Sequence, residues 1–154
     1  MQELNARGRG DLIAGLVLIA PAPDFTSELM EPELSDAERA SLAEKGYFEE
    51  PTPYGPEPNV FTWALFEDGR RNRVLDGIID VGAPVRIIQG MEDPDVPWRH
   101  ALRLMEHLPS DNVELTLIRD GDHRLSRPSD IAHILAAGDA ILPGWSTAPP
   151  HALP

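Results

Sequence analysis

The sequence contains no cysteine and few basic residues. Without cysteine, the chain has no disulfide framework, no thiolate metal site and no cysteine nucleophile. Its 13 Lys and Arg stand against 26 Asp and Glu, a net charge of −13, which disfavours nucleic acid or an anionic membrane as a partner. No apolar run approaches the roughly 18 residues that a membrane-spanning helix needs. We therefore expect a soluble protein with no membrane span and no nucleic-acid partner.

The apolar run at residues 12 to 22 has two interpretations. Basic residues precede it, and Ala20-Pro21-Ala22 resembles the cleavage signal of a secretory peptide. Acidic residues in the flank and prolines at the cleavage point argue against a secreted acidic protein. We favour a strand over residues 15 to 20, buried on both faces, because the run is short, β-branched and closed by prolines. We accordingly predict a cytoplasmic location.

The middle of the chain predicts a helical excursion. Ser35 and Glu38 form a capping box, and Gly46 supplies a C-terminal stop, so a helix is expected over residues 36 to 45. The segment from 49 to 59 holds four prolines and predicts an irregular surface connection.

A second short helix is expected after this segment. Asn59 is suited to cap it and Gly69 to end it. Aromatic residues at helical spacing lie inside it, and they either pack the core of the excursion or face a substrate. These residues are Phe61, Trp63 and Phe66.

The second half of the chain alternates strands and helices. Strands are predicted over 84 to 88 and 113 to 118, and helices over 98 to 108 and from Pro128 onward. The pattern is typical of an α/β fold with three parallel strands and flanking helices. The tail from 143 to 154 has four prolines and no pattern, so we expect it to be frayed. The predicted apolar side of the last helix holds Ile131, Ile134, Leu135, Ile141 and Leu142.

An acid follows one of these strands and a histidine follows the next. Because the carboxyl ends of parallel strands meet at one edge of a sheet, Asp93 and His123 are expected to approach each other there. A carboxylate can hold the Nδ1–H of an imidazole and leave Nε2 free as a general base. On spacing alone, such a pair is not specific.

Three stretches of sequence resemble the second half of an α/β-hydrolase. They are GLVLIAPAPDF at 15 to 25, PVRIIQGMEDPDVPW at 84 to 98 and RDGDHRLSRPSDI at 119 to 131. Their wording is most similar to the small-esterase branch that includes palmitoyl-protein thioesterase and acyl-glucuronide esterase members. The resemblance implies a serine hydrolase that acts on a small-molecule ester or thioester without a cofactor.

The resemblance also implies roles for two residues. The family places its acid in a G-x-x-D-x-x-V-P loop, which the segment from Gly90 to Pro97 matches, with Asp93 as the acid. Its histidine lies in a G-x-H or D-H loop, which Asp122-His123 matches. Asp93 is therefore implied as the orienting acid and His123 as the base.

The family's nucleophile is not recognisable in this sequence. A G-x-S-x-G elbow carries the serine in this fold, and none of the seven serines has those flanking glycines. The resemblance then implies a C-terminal hydrolase portion at residues 1 to 142, with a cap inserted at about 25 to 73. Strand 16 to 20 would lie unpaired at the edge of the sheet and could associate with another chain. Phe61, Trp63 and Phe66 would be walls of the acyl pocket.

Other interpretations of the polar residues stay open. Asp24, after the first strand, is an alternative acid, and Asp95 suits an Asx-type turn. A binding domain without catalytic activity is an alternative to an enzyme. Oxygen ligands for a hard cation are offered by Glu92, Asp93, Asp95, Asp120, Asp122 and His123. Solvated side chains are expected for His100, His107, His133, His151, Arg70, Arg71 and Arg73.

Overall fold

The structure, a computed structural model, describes residues 12 to 53, 55 to 108 and 112 to 142. The predicted frayed tail lies outside the described residues. In chain order the strands and helices are β1 (Leu16–Ile19), a π-helical turn (Thr26–Met30), a 3-10 turn (Glu31–Glu33), α1 (Asp36–Lys45), β2 (Tyr47–Glu50), β3 (Asn59–Thr62), α2 (Trp63–Arg71), β4 (Val85–Gly90), α3 (Trp98–Glu106), β5 (Val113–Ile118) and α4 (Pro128–Ile141).

The chain divides into two compact units. The first combines the described residues up to 22 with those from 77 onward, and the second spans residues 23 to 76. The first unit contains a parallel sheet in the order β1-β4-β5, as the alternation of strands and helices predicts. The register sets Leu16 beside Val85, and Val85 beside Val113.

The central strand and the first edge strand of this sheet differ in burial. All six residues of β4 are buried between β1 and β5, as expected for an Ile- and Val-rich central parallel strand. β1 is only partly buried, and Ile19 is 44% exposed. The expectation that β1 is buried on both faces is wrong because, within the described residues, β1 pairs with β4 alone.

The core of the first unit joins the sheet to α4. Ile88, Ile118 and Leu125 are buried together, and Ile134 and Ala137 of α4 pack against them. Burying each such Ile or Leu side chain stabilises the fold by roughly 1.5–3 kcal/mol. Only part of the predicted apolar side of α4 faces this core. Ile131, Leu135 and Leu142 are exposed.

The first helix of the second unit begins and ends as predicted. Ser35 Oγ accepts from the Glu38 amide at 3.3 Å, and the Glu38 carboxylate accepts from the Ser35 amide at 2.7 Å. Gly46 ends the helix with φ of 80°, a left-handed conformation that glycine adopts without steric cost. Hydrogen bonds from Ser35 lower the pKa of Glu38.

The prediction of a helix beginning at Asn59 is wrong. Residues Asn59–Thr62 form β3, which pairs antiparallel with β2, so the proline-containing connection is the loop of a hairpin. Thr62 caps α2 instead, accepting from the Leu65 amide at 3.2 Å. The helix then continues past Gly69 to Arg71.

Candidate active site

Two loops lie side by side after neighbouring strands: the acid loop, residues 91 to 97, which holds Asp93, and the histidine loop, residues 119 to 127, which holds His123. Gly90 at the end of β4 is paired with Ile118 at the end of β5. Beyond this pair, the Met91 amide donates to the Ile118 carbonyl at 2.9 Å, and the Glu92 amide donates to the Gly121 carbonyl at 2.9 Å. Backbone hydrogen bonds therefore fix the two loops relative to each other.

A carboxylate with four donors lies between these loops. The side chain of Asp93 has no exposed surface. Its Oδ1 accepts from the amides of Asp95 at 2.8 Å and Val96 at 2.9 Å. Its Oδ2 accepts from Gln89 Nε2 at 2.9 Å and is 3.0 Å from His123 Nδ1. Each of the two oxygens of Asp93 is therefore in contact with two hydrogen-bonding groups.

The imidazole of His123 is oriented by this carboxylate. A carboxylate can only accept, so Nδ1 must carry the proton that bridges to Asp93 Oδ2. That assignment makes Nε2 the unprotonated nitrogen of the neutral ring. The His123 side chain is 37% exposed, whereas its partner is fully buried. In this arrangement Nε2 can accept a proton from a neighbouring group, and the Asp93 carboxylate can stabilise the imidazolium that results.

Gln89 is a site residue that sequence reasoning missed. It occupies the penultimate position of β4 and is fully buried. The available signal was a neutral polar side chain in a run of buried apolar residues, four positions before the acid. Burying an amide without a hydrogen-bond partner is costly, so its presence there indicates a partner.

Gly90 allows the two loops to approach closely. A Cβ added to Gly90 would lie 2.6 Å from the Asp122 carbonyl oxygen and would also collide with the Gly121 backbone. The obstacle is main chain rather than a flexible side chain. The first residue of the G-x-x-D segment is therefore glycine because the histidine loop occupies the space that a side chain would need.

An arginine braces the histidine loop against α4. Arg127 Nη1 lies 2.7 Å from Asp120 Oδ2, and Arg127 Nη2 lies 2.8 Å from the fully buried Asp130. Hydrogen bonds from Arg127 lower the pKa of both carboxyl groups, and the same bonds raise the pKa of Arg127. Arg127 thus links the start of the loop that holds His123 to the end of that loop and to the first turn of α4.

The residues considered for a cation site are only partly brought together. Asp93, Asp95 and His123 place ligand atoms within 4.8 Å of one another. However, both oxygens of Asp93 already accept hydrogen bonds, and Asp120 is paired with Arg127. Asp122 Oδ1 accepts from the Leu125 amide at 2.9 Å. The donors around the acid therefore favour the acid–imidazole arrangement over a metal cage.

Two hydrogen-bond patterns bear on the acidic side chains near the strand ends. Asp93 Oδ1 accepts from the Asp95 amide, the bond that defines an Asx-type turn. The Asx-type turn expected of the Asp95 side chain stays a prediction. Asp24 binds within the second unit, accepting from the Val74 and Leu75 amides at 2.9 and 2.8 Å. These bonds give Asp24 a structural role in its own unit.

Several side chains expected to be solvated have specific surroundings. His100 is 6% exposed, so the solvated interpretation is wrong for it. His133 is exposed, whereas His107 is half-buried and its Nδ1 lies 2.8 Å from the Gly77 carbonyl oxygen. His151 lies outside the described residues. The arginines at 70, 71 and 73 form ion pairs with Glu31, Glu67, Glu28 and Asp76 and are not a free basic turn.

The three aromatic residues considered for an acyl pocket differ in exposure. Phe66 is 1% exposed and is buried with Leu42 and Phe48 in the core of the second unit. Phe61 packs on Phe48 with ring centroids 5.2 Å apart. Trp63 is 43% exposed, and the Arg70 guanidinium lies 5.4 Å from its ring centroid. Trp63 is therefore the one of the three with substantial exposed surface.

An apolar groove lies between β1 and α4. It has a volume of about 270 Å³ and is bounded by β1 and α4, with Val17, Ile19, Ile134 and Ile141 among its lining residues. Within the described residues the other edge of β1 has no partner strand, and an open edge beside apolar surface is one to which another strand can add. None of the helices in the described residues has the length and apolar character needed to cross a bilayer.

Comparisons with solved structures identify the fold. A structure titled as a putative hydrolase from Agrobacterium vitis is 68% identical, with a TM-score of 0.80, over 82% of this chain and 49% of that one. The structure of mouse α/β-hydrolase domain-containing protein 10 is 27% identical, with a TM-score of 0.73, over 90% of this chain and 56% of that one. The chain belongs to the α/β-hydrolase superfamily.

Curated relatives place this α/β-hydrolase near the thioesterase branch. Mouse mitochondrial palmitoyl-protein thioesterase ABHD10 is 29% identical over 107 residues, 69% of this chain and 36% of its own length. The human protein of that name is 25% identical over 92% of this chain and 46% of its own length. The hydrolase chain thus spans about half, or less, of the length of these relatives. No protein-family model matches it.

Proposed function

We propose that this chain supplies the acid and the base of a serine hydrolase that cleaves carboxylic ester or thioester bonds. The observation that carries the proposal is the 3.0 Å approach of His123 Nδ1 to Oδ2 of the fully buried Asp93. A solvated surface pair would not need a carboxylate with four donors, and its energy would be small. A buried acid that orients a partly exposed imidazole suits proton transfer at Nε2.

The proposed reaction proceeds through an acyl-enzyme. His123 Nε2 takes the proton of a serine hydroxyl as its oxygen attacks the acyl carbon, and Asp93 stabilises the imidazolium that forms. The imidazolium then gives that proton to the leaving alcohol or thiol as the bond to the acyl carbon breaks. Water, activated in the same way by His123, releases the carboxylic acid. The cycle uses side chains alone, so we propose no cofactor.

We propose that the serine comes from a hydrolase segment outside this chain. The sequence has no G-x-S-x-G elbow, and the hydroxyls of Ser27, Ser35 and Ser41 are hydrogen-bonded within the second unit. In the α/β-hydrolase resemblance the nucleophile strand precedes β1. Such a strand would pair with the open edge of β1 and cover the apolar groove beside it.

The substrate class is proposed from the relatives and from the second unit. The mouse and human relatives are named palmitoyl-protein thioesterases, which supports an acyl thioester. We propose that residues 25 to 73 form the cap and that Trp63 faces the acyl chain, with Phe61 and Phe66 supporting it from the core. The cytoplasmic location stays a prediction, since those relatives are named as mitochondrial.

A fluorophosphonate probe tests where the nucleophile lies. The chain is probed alone and after co-expression with the half of the Agrobacterium vitis hydrolase that it does not cover. We expect no labelling of the chain alone and labelling of the partner half in the reconstituted complex. Labelling of the isolated chain at one of its own serines would contradict the proposed source of the nucleophile.

A binding domain without catalysis is the second candidate, and the open edge of β1 favours it. In that case the chain pairs with another polypeptide through β1, but the complex does not react with the probe. A stable complex that neither binds the probe nor hydrolyses an acyl thioester would support the binding function over the enzyme.

A further inference from the structure

One buried side chain in the first unit contacts the acid of the proposed pair. Gln89 has no exposed surface, and its Nε2 lies 2.9 Å from Asp93 Oδ2. That oxygen is the one that faces His123 Nδ1. The amide therefore binds the acid at the atom on which the orientation of the imidazole depends.

The surroundings of Gln89 fix which way its amide points. Besides Asp93 Oδ2, Nε2 lies 3.1 Å from the carbonyl oxygens of Gly90 and Val96. All three neighbours are acceptors, so exchanging the amide oxygen and nitrogen would set an oxygen against three oxygens. Within the described residues, Oε1 is buried without a hydrogen-bond partner. The side chain is thus held by its donor end alone.

We propose that Gln89 is a positioning residue that keeps Asp93 Oδ2 aligned with His123 Nδ1. The two backbone amides that bind Oδ1 leave the carboxylate free to rotate about them, and Gln89 opposes that rotation at Oδ2. Its contact with the Val96 carbonyl ties the far part of the acid loop to β4. With Oδ2 fixed, the proton of neutral His123 stays on Nδ1 and Nε2 stays available as a base.

A purely structural role for Gln89 predicts different behaviour. If the side chain only fills space in β4, a methionine of similar length should serve equally well, because it is apolar and adaptable. If Gln89 acts as a donor, methionine fails and so does asparagine, whose amide is one methylene too short to reach Oδ2. The role of His123 as a base rests on the proposed function, whereas the alignment of its tautomer can be measured without turnover.

The test is NMR of the ¹⁵N-labelled 154-residue chain, reading the tautomer of His123 and the exchange rate of its Nδ1 proton. His123→Ala assigns the signals. We expect the wild type to populate the Nδ1–H tautomer, and Gln89→Met and Gln89→Asn to mix the tautomers and to speed Nδ1 proton exchange at least tenfold. Ile88→Val is the matched control, since it alters a buried neighbour on β4 that makes no hydrogen bond to Asp93.

Each outcome decides the matter. Wild-type tautomer and exchange in either folded Gln89 variant would overturn the proposal. A change of equal size in Ile88→Val would also overturn it, because packing alone would then explain the effect, as would failure of both Gln89 variants to fold. Absence of His123-dependent hydrolysis would contradict the proposed function but would leave the NMR result intact, so the two failures are distinguishable.

Discussion

At the scale of single residues, the acid–imidazole pair depends on groups that do not themselves react. Asp93 has four donors, two of them backbone amides of its own loop. Gly90 provides the space in which the histidine loop lies against that loop. Preorganisation of this kind matters because a misplacement of about 1 Å can cost roughly 100-fold in rate.

The Asp93→Asn variant tests the charge of the acid without changing its shape. An amide at this position can present a donor to His123 and favours the wrong tautomer, so we expect kcat of the reconstituted enzyme to fall by about 10⁴-fold. The control is Glu92→Gln, which removes a charge from an exposed neighbour. Similar rates for the two variants would argue against an orienting role for Asp93.

The Gly90→Ala variant tests the close approach of the two loops. Because its Cβ would meet backbone atoms of Gly121 and Asp122, the loops must separate, and we expect kcat/KM to fall at least about 100-fold. Gly77→Ala is the matched control: a Cβ there meets no atom within 4 Å, so activity should not change. Steady-state hydrolysis of an acyl thioester provides the measurement, and full activity in Gly90→Ala would refute the steric argument.

At the scale of elements, α4 and the histidine loop are joined through Arg127. The arginine binds Asp120 near the start of the loop and Asp130 in the first turn of the helix. The acidic Asp130 also suits the positive end of the helix dipole. This arrangement couples the position of His123 to the beginning of α4.

The ion pairs of Arg127 predict a defined dependence of stability on pH. The pKa of Asp130 lies below its ordinary 3.8 in the folded chain, and so does that of Asp120. Their contribution is therefore present above about pH 4 and is lost as pH falls through the lowered values. We expect Arg127→Ala to show a shallower loss of stability than the wild type below pH 4, measured by urea unfolding. Equal slopes, with exposed Arg119→Ala as control, would contradict this.

Parts of both units could be predicted from local sequence. The limits of β5 and α1 match the prediction because alternation, capping and a stop glycine are local signals. The Asp93–His123 pair could be predicted because parallel strands bring their carboxyl ends together. The helix predicted from Asn59 was wrong because β3 is stabilised by pairing with β2, a contact that local spacing does not reveal. Gln89 was missed because its partners lie in a loop that folds back onto β4.

At the scale of the whole molecule, the open edge of β1 bears on association. Ile19 is 44% exposed beside an apolar groove of about 270 Å³. The net charge of −13 opposes self-association at low salt and is screened at high salt. An apolar strand edge nevertheless provides both hydrogen-bonding groups and apolar surface to another chain.

The Ile19→Lys variant tests this edge. A charge on an edge strand blocks pairing, so we expect the wild-type chain to associate with increasing concentration and the variant to shift toward monomer. Ile78→Lys is the control, because Ile78 is 72% exposed and lies outside the strands. Sedimentation velocity gives the distribution. Unchanged association of Ile19→Lys would exclude β1 as the contact.

The most direct test of the central claim is acyl-thioester hydrolysis by the reconstituted complex with one histidine removed at a time. His123→Ala removes the proposed base, and His133→Ala removes an exposed histidine of α4. Because the triad acts as a unit, we expect kcat to fall by about 10⁶-fold, to background, in His123→Ala, with His133→Ala at the wild-type rate. Turnover retained in His123→Ala would contradict the assignment of this chain as the source of the catalytic base.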